Sequence, residues 1–196
     1  MKKIFFIVFL FLNQNQNIFS QEFKLQEAIN GLNSPWSLSF ISNDRVIATE
    51  KSGNLMLIDF NINEIKKIKH NLNILEDGQG GLLEVLYFKD QVFVSYSEDL
   101  KRGYSTTSVA KANFNENELN FQNIFRAEPP INSGYHFGSR LVIKDNLLYI
   151  TAGERGKGMI AQDPLKHPGS IIRVHLDGEI PKDNPKFIDK KDWLPE

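Results

Sequence analysis

Three stretches of the chain combine short apolar runs with turns that contain aspartate or asparagine. Each stretch has β-branched and aromatic residues on both sides of its turn, which is the pattern of a β-hairpin. The hairpins cover residues 37–49, 83–96 and 140–151, and their turns contain Asp44, Asp90 and Asp145. Because the turns lie about 50 residues apart, the pattern indicates an internal repeat of one structural unit.

A further β-rich segment follows each hairpin, at residues 54–59, 108–114 and 170–176. No long amphipathic helix is evident between these segments. Four-stranded units that repeat about every 40–50 residues are typical of β-propeller blades. The pattern therefore predicts an all-β fold, a β-propeller of which about three blades are present. Propellers generally need at least about four blades, so we expect part of a larger ring or, as an alternative, a half-ring that pairs with a second copy.

The beginning of the chain has the features of an export signal. Two lysines precede an unbroken apolar run from Ile4 to Leu12, and Ser20 offers a small residue for cleavage. The run is too short to cross a bilayer, although an uncleaved anchor is the alternative. We expect residues 1–20 to be a signal peptide and residues 21–196 to be periplasmic or secreted, with no membrane span.

Composition narrows the possible chemistry. The chain has no cysteine, which excludes disulfides, thiol catalysis and cysteine-based zinc sites. Its formal net charge of −1 provides no reason to expect nucleic-acid binding. A hydrophobic content of 41% is ordinary for a globular domain.

His136 lies at the end of a loop rich in proline, glycine and serine, just before the third hairpin. A loop residue at the rim of a sheet can meet a ligand, and imidazole, with an unperturbed pKa of roughly 6.5, suits a general base. Glu154 follows the last strand of that hairpin, and a carboxylate that orients a histidine base is a recurring catalytic arrangement. On this chemistry alone, an ordinary surface histidine is the commoner interpretation.

Five motifs occur in a fixed order along the chain. They are Gly-Leu-Asn-Ser-Pro-Trp at 31–36, Asp-Gly-Gln-Gly-Gly-Leu-Leu at 77–83, His-Phe-Gly-Ser-Arg-Leu at 136–141, Ala-Gln-Asp at 161–163 and Asp-Gly-Glu-Ile-Pro-Lys-Asp-Asn-Pro at 177–185. In this order and spacing they resemble the soluble PQQ-dependent glucose/sorbosone dehydrogenase family, above all its periplasmic aldose sugar dehydrogenases. The resemblance extends over nearly the whole of the mature chain.

The resemblance implies a quinoprotein that oxidises aldose sugars at the anomeric carbon, with pyrroloquinoline quinone (PQQ) and Ca²⁺ as cofactors. His136 matches the general base that takes the hydroxyl proton while hydride passes to the quinone. Glu154 matches the acid that orients this base, and Gln79 matches a residue that contacts cofactor and substrate. Arg140 could meet a carboxylate of PQQ, or equally form a structural ion pair.

Other polar residues are assigned no direct chemistry. His70, His167 and His175 show no metal-ligand spacing with one another, and no metal ligands are assigned to this chain. Gln162 and Asp163 are expected to order the loop that follows Glu154.

The resemblance also implies that much of the cofactor site lies in other blades. The family has six blades, so residues 21–196 correspond to the N-terminal half of such a propeller. The basic residues that hold the PQQ carboxylates and the carbonyls that ligate calcium lie mostly in later blades, so this half alone is expected to be inactive. Ser170 stands where the family usually has lysine, which would weaken one ion pair. The sugar and the electron acceptor, a quinone or a cytochrome, are not identified.

Two other functions remain open. A calcium-dependent propeller lactonase would need a cluster of carboxylates and asparagines around the central channel, and none is evident in the sequence. A non-catalytic propeller that binds carbohydrate or a protein partner would keep sugar binding without binding PQQ.

Overall fold

The computed structural model describes residues 23–185, so the expected signal peptide at 1–20 lies outside the described residues. The described residues form three β-sheets. Their only helix is a short 3₁₀ segment at Gly158–Gln162. In the same part of the chain, no helix has the length and apolar character needed to cross a membrane. The expectation of an all-β fold is confirmed.

Apart from one short strand that pairs in parallel at the edge of the first sheet, each sheet is a run of antiparallel strands in chain order. The first sheet contains β1 (Pro35–Phe40), β2 (Arg45–Glu50), β3 (Leu55–Asp59) and β4 (Glu64–His70). The second sheet contains β5 (Leu82–Phe88), β6 (Gln91–Asp99), β7 (Ser105–Asn113) and β9 (Gln122–Arg126). The short strand β8 (Glu118–Leu119) lies between β7 and β9 in the sequence. The third sheet contains β10 (Gly138–Lys144), β11 (Leu147–Ala152) and β12 (Ile171–His175). The strand β8 pairs in parallel with β4 and so links the second unit to the first.

The three expected hairpins are present as β1–β2, β5–β6 and β10–β11, each followed by its expected next strand. The second and third turns have left-handed backbone at both central residues. Lys89 and Asp90 have φ of +49° and +58°, and Asp145 and Asn146 have φ of +53° and +58°. Two left-handed residues form the type I′ turn, whose twist matches that of the flanking strands and which Asn and Asp tolerate well.

A β-bulge occurs at the same place in the first strand of every sheet. The register shifts fall between Pro35 and Ser37, between Leu82 and Val85, and between Gly138 and Leu141. A bulge leaves one backbone N–H without its ladder partner. In each sheet that N–H donates to a hydroxyl of the second strand: Ser37 to Thr49 at 3.1 Å, Glu84 to Ser95 at 3.0 Å and Arg140 to Thr151 at 2.9 Å.

The same hydroxyls join neighbouring sheets. Thr49 Oγ1 donates to the carbonyl of Leu83 at 2.6 Å, and Ser95 Oγ donates to the carbonyl of Ser139 at 2.6 Å. Each of these side chains is fully buried. We call this repeated hydrogen-bonded unit the hydroxyl clasp. It fixes the first strand of one sheet against the second strand of the sheet before it.

Two apolar layers lie between the three sheets, which pack face to face. The layer between the first and second sheets contains Ile47, Leu57, Val85, Val94 and Leu119. The layer between the second and third sheets contains Phe93, Val109, Leu141, Leu148 and Ile172. Antiparallel sheets that follow in chain order and pack face to face are the blades of a β-propeller. The expected propeller architecture, with about three blades present, is therefore confirmed.

Candidate active site

Three loops converge at the end of the blades opposite the hairpin turns. They precede β5 (77–81), precede β10 (131–137) and follow β11 (153–158). Gln79 N–H donates to the carbonyl of Gly134 at 2.7 Å, and Gly153 N–H donates to the carbonyl of Phe137 at 3.0 Å. These backbone contacts bring His136, Glu154 and Gln79 together, although they lie on separate parts of the chain.

His136 and Glu154 form a direct side-chain pair. The ring Nδ1 of His136 is hydrogen-bonded to Oε1 of Glu154, and the same oxygen accepts the Gly156 N–H at 3.1 Å. A carboxylate accepts the bond, so Nδ1 carries a proton, and in the neutral ring Nε2 then has the free lone pair. The His136 side chain is 53% exposed, which leaves Nε2 open to a ligand.

The Glu154 carboxylate of the pair is ionised at neutral pH. The hydrogen bond with His136 lowers the pKa of Glu154 below its ordinary value of 4.5, and the Gly156 N–H acts in the same direction. An ionised carboxylate beside the ring stabilises the imidazolium that forms when Nε2 takes up a proton. The arrangement can therefore serve as an oriented general base.

Gln79 supports the backbone of His136. Its side-chain Oε1 accepts the His136 N–H at 2.8 Å. His136 has φ of +49°, a left-handed conformation that is uncommon for a residue with a side chain and needs support from its surroundings. The amide group of Gln79 makes no other hydrogen bond to the described residues, so its N–H₂ can donate to a ligand. Sequence reasoning predicted the ligand contact and missed the contact to His136.

Two glycines allow the loops to approach closely. Gly78 has φ of +55°, and a Cβ there would lie 2.5 Å from the carbonyl oxygen of Gly134. A Cβ on Gly153 would lie 2.0 Å from the carbonyl oxygen of His136. Any side chain at these positions would push the Gln79 loop or the Glu154 loop away from His136.

Arg140 is engaged in a different interaction. Its Nη1 pairs with Oε2 of Glu84 in the neighbouring blade, across the boundary between β5 and β10. This is the structural ion pair that the sequence left as an alternative. Arg140 and Glu84 line a groove of about 610 Å³ with Trp36 and Leu38, and His136 is not among the lining residues. A contact between Arg140 and PQQ stays a prediction.

Arg155 was not found by sequence reasoning. It is only 2% exposed, and its guanidinium lies 3.6 Å from the ring centroid of Phe137. It forms hydrogen bonds beneath the His136 loop, to Tyr135, Ser133 and Ser105. Burial lowers its pKa to about 10. The signal in the sequence was an arginine directly after Glu154 in a strand-end loop, which is indistinguishable from an ordinary surface arginine.

The remaining histidines lie in structural positions or on the surface. His70 Nε2 lies 2.7 Å from the carbonyl of Gly53, and its Nδ1 accepts the Leu72 N–H at 3.3 Å. His167 Nδ1 accepts the Glu128 N–H at 2.9 Å, and burial lowers its pKa. His175 is exposed at the end of β12.

The loop after Glu154 contains the 3₁₀ segment and then Asp163. Asp163 Oδ1 accepts the Leu165 N–H at 3.0 Å, and Oδ2 pairs with Lys166 at 2.9 Å. These contacts fit the expectation that Asp163 orders the loop. Within residues 23–185, no group of three or more His, Cys, Asp or Glu side chains could hold a metal ion.

Comparison with known proteins agrees with the fold and with the family resemblance found in the sequence. The family model described as Glucose / Sorbosone dehydrogenase matches residues 32–196. Aldose sugar dehydrogenase YliI of Escherichia coli is 32% identical over 164 residues, which are 79% of this chain and 44% of that protein. The chain therefore spans less than half the length of this relative.

Two solved structures are also similar. The soluble aldose sugar dehydrogenase of Escherichia coli in its apo form matches with a TM-score of 0.81 and 29% identity, covering 87% of this chain and 52% of that chain. The PQQ-bound aldose sugar dehydrogenase of Streptomyces coelicolor matches with a TM-score of 0.73 and 22% identity, covering 83% of this chain and 50% of that chain. At this identity, the second similarity shows the fold alone.

Proposed function

This chain belongs to the glucose/sorbosone dehydrogenase family, and on that premise we propose that the complete protein is a PQQ-dependent sugar dehydrogenase. It oxidises aldoses at the anomeric carbon and releases the lactone. His136 is the general base, Glu154 orients it, and Gln79 contacts the cofactor and the substrate. The observation that carries the proposal is the His136–Glu154 pair, in a half-exposed histidine whose ring Nδ1 is held by Glu154 and whose backbone N–H is held by Gln79.

The residues of this chain would act in one order. The anomeric hydroxyl of the sugar donates a hydrogen bond to Nε2 of His136, and the proton transfers to this nitrogen as the anomeric carbon is oxidised. The ionised carboxylate of Glu154 stabilises the imidazolium. Gln79 holds the His136 N–H at 2.8 Å, so the ring keeps its direction during the transfer.

The described residues fit one side of a PQQ site. When bound, the quinone supplies the hydride acceptor that the protein side chains lack. Gln79 could donate an amide N–H to it, and the ring of His136 could contact it while Nε2 accepts the proton of the sugar. Two basic residues near the site are committed elsewhere: Arg140 to Glu84, and Arg155 to buried carbonyls and a hydroxyl. We expect the PQQ carboxylates to be held by other basic groups of the complete protein.

Calcium belongs to the proposal as the second cofactor. Residues 23–185 bring together no group of three or more His, Cys, Asp or Glu side chains, and the resemblance puts the carbonyl ligands of calcium mostly in later blades, so no calcium ligand is assigned to this chain. No step of the reaction is therefore assigned to calcium through the residues of this chain.

Export belongs to the proposal as well. The exported protein would oxidise its aldose substrate outside the cytoplasm, where a quinone or cytochrome would reoxidise the cofactor. The support is the basic and then apolar beginning of the chain, with cleavage expected after Ser20.

Reconstitution of the complete protein tests this function. The metal-free apoprotein is mixed with PQQ and Ca²⁺, separately and together, and aldose-dependent reduction of a dye acceptor is followed. We expect activity only when both are added. Sugar binding without PQQ binding would instead favour a carbohydrate-binding propeller, and lactone hydrolysis that needs calcium alone would favour a lactonase.

A further inference from the structure

The guanidinium of Arg155 is buried and forms no ion pair with any of the residues 23–185. Its four hydrogen bonds go to three carbonyls and one hydroxyl: Tyr135 O at 3.0 Å from Nε, Ser105 O at 3.0 Å from Nη1, Ser105 Oγ at 2.9 Å from Nη2, and Ser133 O, also from Nη2. Asp77 acts on the guanidinium through its charge and raises the pKa of Arg155, but the two form no hydrogen bond. All of the acceptors are neutral.

Such a residue is costly for a fold to keep. A buried charge loses its hydration, and hydrogen bonds to neutral acceptors offset less of that free-energy cost than an ion pair with a carboxylate would. The lowered pKa of Arg155 reflects the same loss of hydration. Packing alone therefore does not explain an arginine at this position, since an apolar side chain of similar volume would fill it at a lower cost in free energy.

The contacts of Arg155 surround His136 on both sides along the chain. Its side chain binds the carbonyl of Tyr135, the residue before His136, and stacks on the ring of Phe137, the residue after it. Its backbone N–H donates to the carbonyl of His136 at 3.3 Å. Arg155 also directly follows Glu154, so one residue contacts the loops of both members of the pair.

The anchor for these contacts is the sheet of the second blade. Ser105 begins β7, and it exchanges two backbone hydrogen bonds with Ile131, at 3.2 and 3.0 Å. Ser105 is 1% exposed. Ser105 is held in place by β7. Its hydrogen bonds with the guanidinium therefore hold the loop that carries His136 in a fixed position relative to this strand.

We propose that Arg155 is a positioning residue for the base. It sets the left-handed backbone of His136 and its separation from Glu154, and it touches neither the sugar nor the cofactor. The proposal rests on the proposed function for its catalytic consequence. Its structural part, that Arg155 keeps Nδ1 of His136 on Glu154, can be tested without any reaction.

The test compares Arg155→Lys and Arg155→Met with the parent, all as the complete protein. Lysine keeps the charge and loses the planar fork of donors, whereas methionine keeps much of the volume and loses the charge. Matched controls are Arg45→Lys and Arg45→Met. Arg45 forms ion pairs with Glu116 at 2.7 Å and Asp59 at 3.5 Å, at the hairpin-turn end of the first blade, away from the site.

The first readout is the ring of His136 in the apoprotein. With ¹⁵N-labelled histidine, long-range ¹H–¹⁵N spectra distinguish protonated from bare ring nitrogens, and His136→Gln assigns the signals. The parent should show one tautomer, protonated at Nδ1. Both Arg155 variants should show shifts that average between the two tautomers, whereas both Arg45 variants should match the parent.

The second readout is steady-state kinetics with PQQ and Ca²⁺. Misplacement of a catalytic group by about 1 Å can lower the rate about 10²-fold, so we expect kcat to fall about 10- to 100-fold in the Arg155 variants. KM should change by less than about threefold, since Arg155 makes no substrate contact. The Arg45 variants should keep both constants.

Three results would overturn the inference. One is a folded Arg155 variant that keeps the single tautomer and the parent kcat. Another is a change confined to KM, which would make Arg155 a substrate contact. The third is failure of both Arg155 variants to fold, which would make the residue structural. If the complete protein oxidises no sugar, the proposed function fails, and the tautomer readout still decides the role of Arg155.

Discussion

Replacement of Ser95 by alanine tests the hydroxyl clasp between the second and third blades. The Ser95 hydroxyl is fully buried, accepts the Glu84 N–H at 3.0 Å and donates to the Ser139 carbonyl at 2.6 Å. Alanine would leave the Glu84 N–H and the Ser139 carbonyl without this partner. Ser139 is 1% exposed, so water has little access to its carbonyl, whereas Glu84 is only partly buried.

The expected loss follows from these two groups. A buried polar group without a partner costs about 1–3 kcal/mol. Some relaxation of the bulge is expected, so we predict a decrease of about 2–4 kcal/mol in the free energy of unfolding. Ser42→Ala is the control, because Ser42 is exposed in the first hairpin turn and such substitutions usually stay within about 0.5 kcal/mol.

Urea unfolding of the complete protein, followed by tryptophan fluorescence and circular dichroism, measures the change. Agreement of the two probes justifies a single free energy. A loss below about 1 kcal/mol, with an unchanged dependence on urea, would refute the reasoning. It would mean that the clasp hydroxyl is replaceable and that the apolar layers alone hold the blades together.

Three further predictions concern the site. Glu154→Gln removes the charge that stabilises imidazolium and allows the wrong tautomer, so kcat should fall at least about 100-fold; unchanged kcat would exclude Glu154 from this role. The lowered pKa of Glu154 means that its contribution to stability is present above its ordinary value of 4.5 and is lost as pH falls through the lowered pKa. The difference in Tm between parent and Glu154→Gln should thus shrink as pH falls from 4.5 through the lowered pKa, and a constant difference across that acidic range would contradict it. Gly153→Ala should lower kcat while changing Tm little, because its Cβ would lie 2.0 Å from the His136 carbonyl oxygen and displace the loop at the site. A parent-like kcat would show that the loops adjust freely.

Much of the fold was accessible from the sequence because its signals are local. Alternating β-branched residues around Asp and Asn turns specify hairpins, and their spacing specifies blades. The outer strands β4 and β9 were not located, because their sequences are largely polar and their pairing depends on the strands beside them. The hydroxyl clasp has a visible trace, since Thr49, Ser95 and Thr151 occupy the same place in each second strand, yet only the bulges explain it.

The site was only partly accessible from the sequence. The motifs identify His136, Glu154 and Gln79, and the structure brings these three together. The role of Arg155 depends on which carbonyls face it, and no pattern along the chain encodes that. Arg140 was open between two interpretations because its partner, Glu84, is distant in sequence and belongs to another blade.

The central claim is that His136 is the base of a PQQ-dependent sugar oxidation. The most direct test compares His136→Gln with His175→Gln, an exposed histidine on the third blade, in the complete protein loaded with PQQ and Ca²⁺. Cofactor absorbance confirms equal loading before aldose oxidation is measured. The account predicts that His136→Gln loses about 10²- to 10⁴-fold in kcat while His175→Gln matches the parent. Near-normal turnover by His136→Gln with PQQ bound would contradict it.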